Sequence, residues 1–99
     1  MSLPIVFHPD AGSEYDEAHE WFESRRVGSG DDFEAAVEDA LTLIAAHPRM
    51  HGVVVGDYRR APVTGYPYYR VIYRDLGDHV RIISIFHTSR DPATWQGRA

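Results

Sequence analysis

The sequence predicts an α+β fold, with an N-terminal strand, an antiparallel helical hairpin and then a three-stranded antiparallel sheet, in the order β-α-α-β-β-β. Three observations predict it. Apolar residues recur at helical spacing twice in the first half, over 11–22 and again over 33–44. Between them Val27-Gly28-Ser29-Gly30 interrupts the pattern, as the short connection of a helical hairpin would. After Pro48 the period changes to two, and β-branched and aromatic residues alternate with polar ones.

Leu3-Pro4-Ile5-Val6-Phe7-His8 is short, β-branched and aromatic, and reads as the first strand, stopped at Pro9. Asp10 or Ser13 is the predicted cap of the first helix, with Glu14, Asp16 and Glu17 near its positive N-terminal end. Ala11, Tyr15, Ala18 and Phe22 share one helical face. Glu14, Glu17 and Glu20 fall off it and read as solvated. Arg25 and Arg26 suit the helix C-terminus.

Asp31 followed by Glu34 is a capping-box variant that predicts the start of the second helix. Phe33, Val37, Ala40, Leu41 and Ile44 then form its apolar stripe, and Pro48 ends it. Residues 58–63 read as a strand that Pro62 confines to an edge or a bulge. In 68–74, Tyr69, Val71 and Tyr73 take one face and Tyr68, Arg70, Ile72 and Arg74 the other. Leu76-Gly77-Asp78 is the turn of a hairpin that leads into a last strand, 79–87. Strict alternation there puts Val80, Ile82, Ser84 and Phe86 on one face and Arg81, Ile83, Ile85 and His87 on the other. Residues 88–99 are polar and are expected to lack regular structure beyond a turn at Asp91-Pro92.

A chain of 99 residues with no linker or repeat predicts one domain, 1–99. Without cysteine there is no disulfide, iron–sulfur cluster or thiolate zinc site. No apolar run approaches the roughly 20 residues of a membrane span. MSLPIVFHPD has neither the basic start nor the long apolar stretch of a signal peptide, so a cytoplasmic location is expected and no membrane partner.

The formal net charge of −5 hides an asymmetry. Residues 1–48 carry eleven acidic residues against Arg25 and Arg26, whereas residues 49–99 carry eight arginines against four aspartates. That split suggests a polyanionic or acidic partner for the second half. All ten cations are arginine, whose guanidinium fork suits phosphate and carboxylate.

Catalytic signatures are mostly absent. The six histidines show no H-E-x-x-H and no ligand cluster by spacing, so neither a metal site nor a cofactor is expected. There is no G-x-S-x-G and no cysteine nucleophile. Gly28-Ser29-Gly30 lacks a following lysine and precedes an acidic helix start, which argues against a phosphate loop. The remaining candidates are Arg59, Arg60, Arg70, Arg74, Arg81 and Arg90, with His87 as an acid or base. Arg70 and Arg74 lie about 13 Å apart along one strand face. If the helices cover the other face, this one is open, either as a phosphate or carboxylate site or as a solvated surface paired to Asp57, Asp75 and Asp78. Tyr66, Tyr68, Tyr69 and Tyr73 are stacking platforms or core on the same terms.

Four stretches, in order, resemble the RelE/ParE superfamily of bacterial type II toxin–antitoxin toxins. They are Phe7-His8-Pro9-Asp10-Ala11; Gly28-Ser29-Gly30 with Phe33-Glu34-Ala35-Ala36-Val37; Arg60-Ala61-Pro62-Val63 through Gly65-Tyr66-Pro67-Tyr68, Arg70 and Tyr73; and Ile85-Phe86-His87 with Arg90-Asp91-Pro92 and Trp95 to Arg98. The Phe-His-x-x-Arg-Asp-Pro-x-x-Trp tail is similar to the ParE-like, plasmid-stabilisation branch. That branch implies a toxin that poisons DNA gyrase without catalysis and is neutralised by a cognate antitoxin. The RelE-like branch implies a ribosome-dependent mRNA endonuclease, with Arg60, Arg70 and His87 as its catalytic residues here. Against it stand the absence of lysine and of a tyrosine in the tail, and the acidic balance. The resemblance implies antitoxin or target contacts at Arg70, Arg74, Arg81, Arg90, Trp95 and Arg98. Homo-oligomerisation stays open.

Overall fold

The computed structural model describes residues 2–99. The elements run β1 (Ile5–Phe7), α1 (Pro9–Arg25), α2 (Ser29–Ala46), β2 (Val53–Val55), β3 (Tyr58–Pro62), β4 (Tyr69–Asp75) and β5 (Val80–His87), followed by a 3-10 turn at Pro92–Thr94. The strands form one sheet in the order β1-β5-β4-β3-β2. The α+β class and the helical hairpin are as the sequence predicts. The sheet is larger and mixed, because β1 joins it parallel to β5, with Ile5 beside Val80 and Phe7 beside Ile82. The unforeseen strand is β2. Its three valines are all exposed, so it has no alternation to read, and it pairs with β3 through a bulged turn at Gly56. Since β2 covers only Arg59 and Tyr58, the Pro62 end of β3 has no partner on that side and needs no proline N–H.

The helix starts differ from expectation. Pro9 opens α1 as its first residue, where a missing N–H costs nothing, and the His8 ring accepts the Asp10 N–H at 3.0 Å. In α2 the cap is Gly28, at φ 89°, rather than Asp31. Its orphan amides are satisfied from the preceding helix: the Glu23 carboxylate accepts the N–H of Gly28 and of Gly30, each at 2.9 Å. These bonds hold the Glu23 carboxyl below the usual carboxylate range. Gly30 also lets the helices touch, since a Cβ there would lie 2.6 Å from the His19 carbonyl oxygen.

Two apolar layers flank the sheet. Phe33, Val37, Leu41 and Ile44 of α2 bury their stripe with Ala11 and Ala18 of α1 against Val71, Tyr73, Ile82 and Ile85. On the opposite face Ile72, Ile83 and Phe86 are covered by Trp95, with Tyr58 beside them. The alternation predicts an open face here, and the tail instead covers it. The tail behaves as a strap: the Tyr58 hydroxyl donates to the Arg98 carbonyl at 2.8 Å and accepts the Gly97 N–H at 3.2 Å.

Strict alternation also fails in β5. The register passes from Ile72–Ser84 to Tyr73–Ile82, leaving Ile83 as the extra residue of a bulge. Ile82 and Ile85 consequently both face the helices, while Ile83 and Phe86 both face the strap. Glu14 is not solvated either. Its side chain is 10% exposed, accepts from the Ser84 hydroxyl at 2.8 Å, and is held at both oxygens by Arg98, which is 12% exposed.

Candidate functional site

A groove of about 550 Å³ runs between α1 and the sheet's β4–β5 end. Glu14, Glu17, Ala18, Trp21 and Phe22 line it from α1, since spacings of four and three keep Glu14, Ala18 and Trp21 on one side of the helix, with Glu17 and Phe22 flanking them. Opposite them, the β3–β4 connection supplies Tyr66, Pro67 and Tyr68, turning at Gly65 with φ 86°. Ile85, His87 and Arg90 close the end.

The groove's inner wall is aromatic. Phe22 lies edge-on to Tyr66 at 5.3 Å between centroids, and Tyr69 meets the His87 ring at 5.0 Å. Burial pushes the Tyr69 phenol above its ordinary value. At the rim stand two rings that the fold does not cover, Trp21 at 51% exposure and Tyr68 at 66%. The Arg25 guanidinium lies 4.4 Å over the Trp21 ring and holds it in place. A concave apolar surface with an aromatic rim and polar groups at its ends suits a protein segment that inserts apolar anchors.

His87 is oriented within it. Its Nδ1 accepts the Ser89 N–H at 3.1 Å, so the neutral ring carries its proton on Nε2. The other residues expected to act with His87 point away from it. Register places Arg60 opposite Ile72 and Arg70 opposite Phe86, and both of those apolar partners face the strap. Tyr69, opposite His87, faces the helices. Arg60 and Arg70 thus share one face of the sheet and His87 lies on the other. Arg70 donates to the carbonyls of Pro67 and Tyr69 at 2.7 and 2.8 Å, bracing the loop that carries Tyr68.

Four further arginines have structural partners, among them Arg59, which donates to the His51 carbonyl at 2.7 Å. Arg74 grips Asp57 through Nε and Nη2, at 3.0 and 2.9 Å to Oδ2, and stacks over Tyr58. Those hydrogen bonds hold the Asp57 carboxyl below its usual range. Arg81 donates to the Ala99 carbonyl at 2.6 Å. Trp95 is 3% exposed and forms the second core, and Arg98 is committed to Glu14. Of the residues expected to bind a partner, Arg90 is the one that lines the groove. Of the two rim rings, the sequence points to Tyr68 as a stacking platform but not to Trp21, whose signal is its position off the apolar stripe of α1 beside Phe22. Away from the groove, one histidine–carboxylate cluster exists among the described residues, at His19, Asp31 and Glu34. No helix among the described residues is long and apolar enough to cross a membrane.

A family model described as "ParE toxin of type II toxin-antitoxin system, parDE" matches residues 5–92. Among solved structures, one described as the chromosomal ParDE TA system from P. aeruginosa superposes with a TM-score of 0.63 at 12% identity. The match covers 87% of this chain and 96% of that one, a likeness of fold. No curated protein matches the chain.

Proposed function

The chain belongs to the family of ParE toxins of type II toxin–antitoxin systems, and on that premise we propose that it inhibits growth by binding DNA gyrase. The observation that carries this reading is the family match over residues 5–92. The toxin acts as a binding protein in the cytoplasm, without chemistry of its own. Support comes from the placement of His87 on the face of the sheet opposite Arg60 and Arg70, since a single scissile phosphate needs its charge partners and its proton donor together. The net charge of −5 is also ill suited to association with ribosomal RNA.

A cognate antitoxin neutralises the toxin by seating apolar side chains in the groove between Trp21 and Tyr68. Carboxylates of the antitoxin meet Arg90 at its end. The ParDE description of the similar solved structure supports a paired partner.

The decisive experiment is supercoiling by purified gyrase in the presence of this chain, with message integrity on translating ribosomes followed in parallel. Gyrase inhibition with intact message is expected. Supercoiling untouched at a large molar excess would falsify the proposal, and message cut at ribosomal positions would replace it with the RelE-like nuclease.

A further inference from the structure

The second half of α1 and the first two turns of α2 bring three metal-ligating side chains to one point. His19 Nε2 lies 3.0 Å from Asp31 Oδ1 and 3.7 Å from Glu34 Oε2. Asp31 and Glu34 stand three residues apart in α2, so both carboxylates reach the same ring nitrogen from one helical face. A tetrahedral zinc ion with bonds of about 2.0–2.1 Å needs its donors about 3.3 Å apart. The two separations from His19 bracket that value and all three donor atoms lie within 4.8 Å of one another, so a small ion enters as the exposed Asp31 and Glu34 side chains close on it.

The backbone that carries these donors is fixed. Glu23 ties the start of α2 to α1 through the amides of Gly28 and Gly30, and the absence of a side chain at Gly30 lets α2 approach the His19 carbonyl. Beside the cluster, Tyr15, Asp16 and Glu20 line a hollow of about 300 Å³, which leaves room for a water as the remaining ligand. The surroundings favour a cation, because Asp16 and Glu20 line the adjoining hollow and Glu23 lies on the other side of His19.

We propose that His19, Asp31 and Glu34 form a binding site for a divalent zinc-class cation that clamps α1 to α2. One imidazole and two carboxylates without thiolate suit zinc. Magnesium and calcium prefer all-oxygen sets of higher coordination number. Binding takes the neutral ring, so an imidazolium proton at Nε2 passes to solvent as the metal–nitrogen bond forms. The site lies outside the groove and does not depend on the toxin's target.

The test is titration of zinc chloride into the chelator-treated full chain by calorimetry, with thermal melting alongside. One equivalent is expected to bind, and saturating zinc should raise Tm by roughly 5 °C or more. His19→Gln and Glu34→Gln should each weaken binding by more than about tenfold, since the loss of even an outer-shell partner costs that much. His79→Gln, which alters the separate His79–Asp78 pair, should leave it unchanged. Glu34 is half exposed, so its variant keeps the test readable if His19→Gln fails to fold. Absence of binding, binding indifferent to both substitutions, or equal competition by magnesium would overturn the proposal.

Discussion

Arg98 closes on Glu14 across 84 positions of sequence, its Nη1 3.0 Å from Oε1 and its Nη2 3.2 Å from Oε2. Arg98 also donates to the Ile83 carbonyl at 2.9 Å, and Ser84 donates to Glu14 at 2.8 Å. Helix, sheet and tail therefore share one buried ionic knot at the β5 bulge. Breaking such a pair from one side leaves an uncompensated charge, so Arg98→Met should destabilise the fold by about 3 kcal/mol. The double variant Glu14→Gln/Arg98→Met should be less damaging than the sum of the single changes. Urea unfolding of the four proteins measures this, and strict additivity would dissolve the knot.

Trp95 offers a sharper distinction. Its ring fills the second core, but Nε1 is buried and meets no acceptor among the described residues. Trp95→Ala should cost about 3–5 kcal/mol through the cavity it leaves. Trp95→Phe removes an unsatisfied donor while keeping most of the ring, and should cost under half as much. Equal losses in the two variants would mean that the indole N–H has a partner.

At the hairpin turn, Gly30→Ala would drive a Cβ into backbone at 2.6 Å from the His19 carbonyl oxygen. A backbone atom cannot swing aside as a side chain does, so a loss of about 1–3 kcal/mol is expected. Gly12→Ala, where a Cβ meets nothing within 4 Å, is the matched control and should be neutral or stabilising. Comparable melting points for both variants would show that the helices can part without penalty.

The groove's rim should separate binding from folding. Trp21→Ala and Tyr68→Ala remove rings that are 51% and 66% exposed, so each should change unfolding free energy by no more than about 0.5 kcal/mol. Each should weaken antitoxin binding by about tenfold or more, as for aromatic anchors at the centre of an interface. Calorimetry with the cognate antitoxin reads the effect; unchanged affinity in both variants would move the interface elsewhere.

Asp57 carries a pH signature. Its carboxyl is held below the ordinary 3.8 chiefly by hydrogen bonds from Arg74, which outweigh the opposing effect of burial, while that residue's charge adds a lesser contribution. A depressed folded-state pKa means that the pair's contribution is present above about pH 3.8 and is lost as acidification passes through the folded value. Carboxyl NMR should place the Asp57 midpoint below 3.8, and Arg74→Met should raise it toward that value. A midpoint at 3.8 in the unmodified chain would count against the pairing.

The helices were the most legible part of the sequence, because each buries one stripe against one surface and the spacing of Phe33, Val37, Leu41 and Ile44 records it directly. The caps were less so. The Asp31-x-x-Glu34 signature is real in sequence, but Glu23 from the other helix satisfies the orphan amides first, and no local pattern shows a contact made across a turn. β2 escaped because an edge strand exposed on both faces has no alternation. The bulge at Ile83 inverted the reading of Ser84, Ile85 and Phe86, since one extra residue flips every position after it. At the candidate site, His87 and Arg90, which the sequence offers as an acid or base and as a partner contact respectively, both line the groove. Trp95 and Arg98 looked like surface groups only because the strap that buries them has no periodicity of its own.

The pairing of β1 with β5 has a consequence in time. Ile5 and Val80 lie side by side, so the first strand waits for nearly the whole chain to be made before it finds its neighbour. β4 waits for the same strand. The helical hairpin can form early from local contacts, but the sheet that anchors it is completed last, and slowly for a chain of this length. A message cut or a ribosome stalled ahead of residue 80 therefore yields a fragment without the strand that joins β1 to β4. Such a fragment would be a substrate for proteases and not a finished poison.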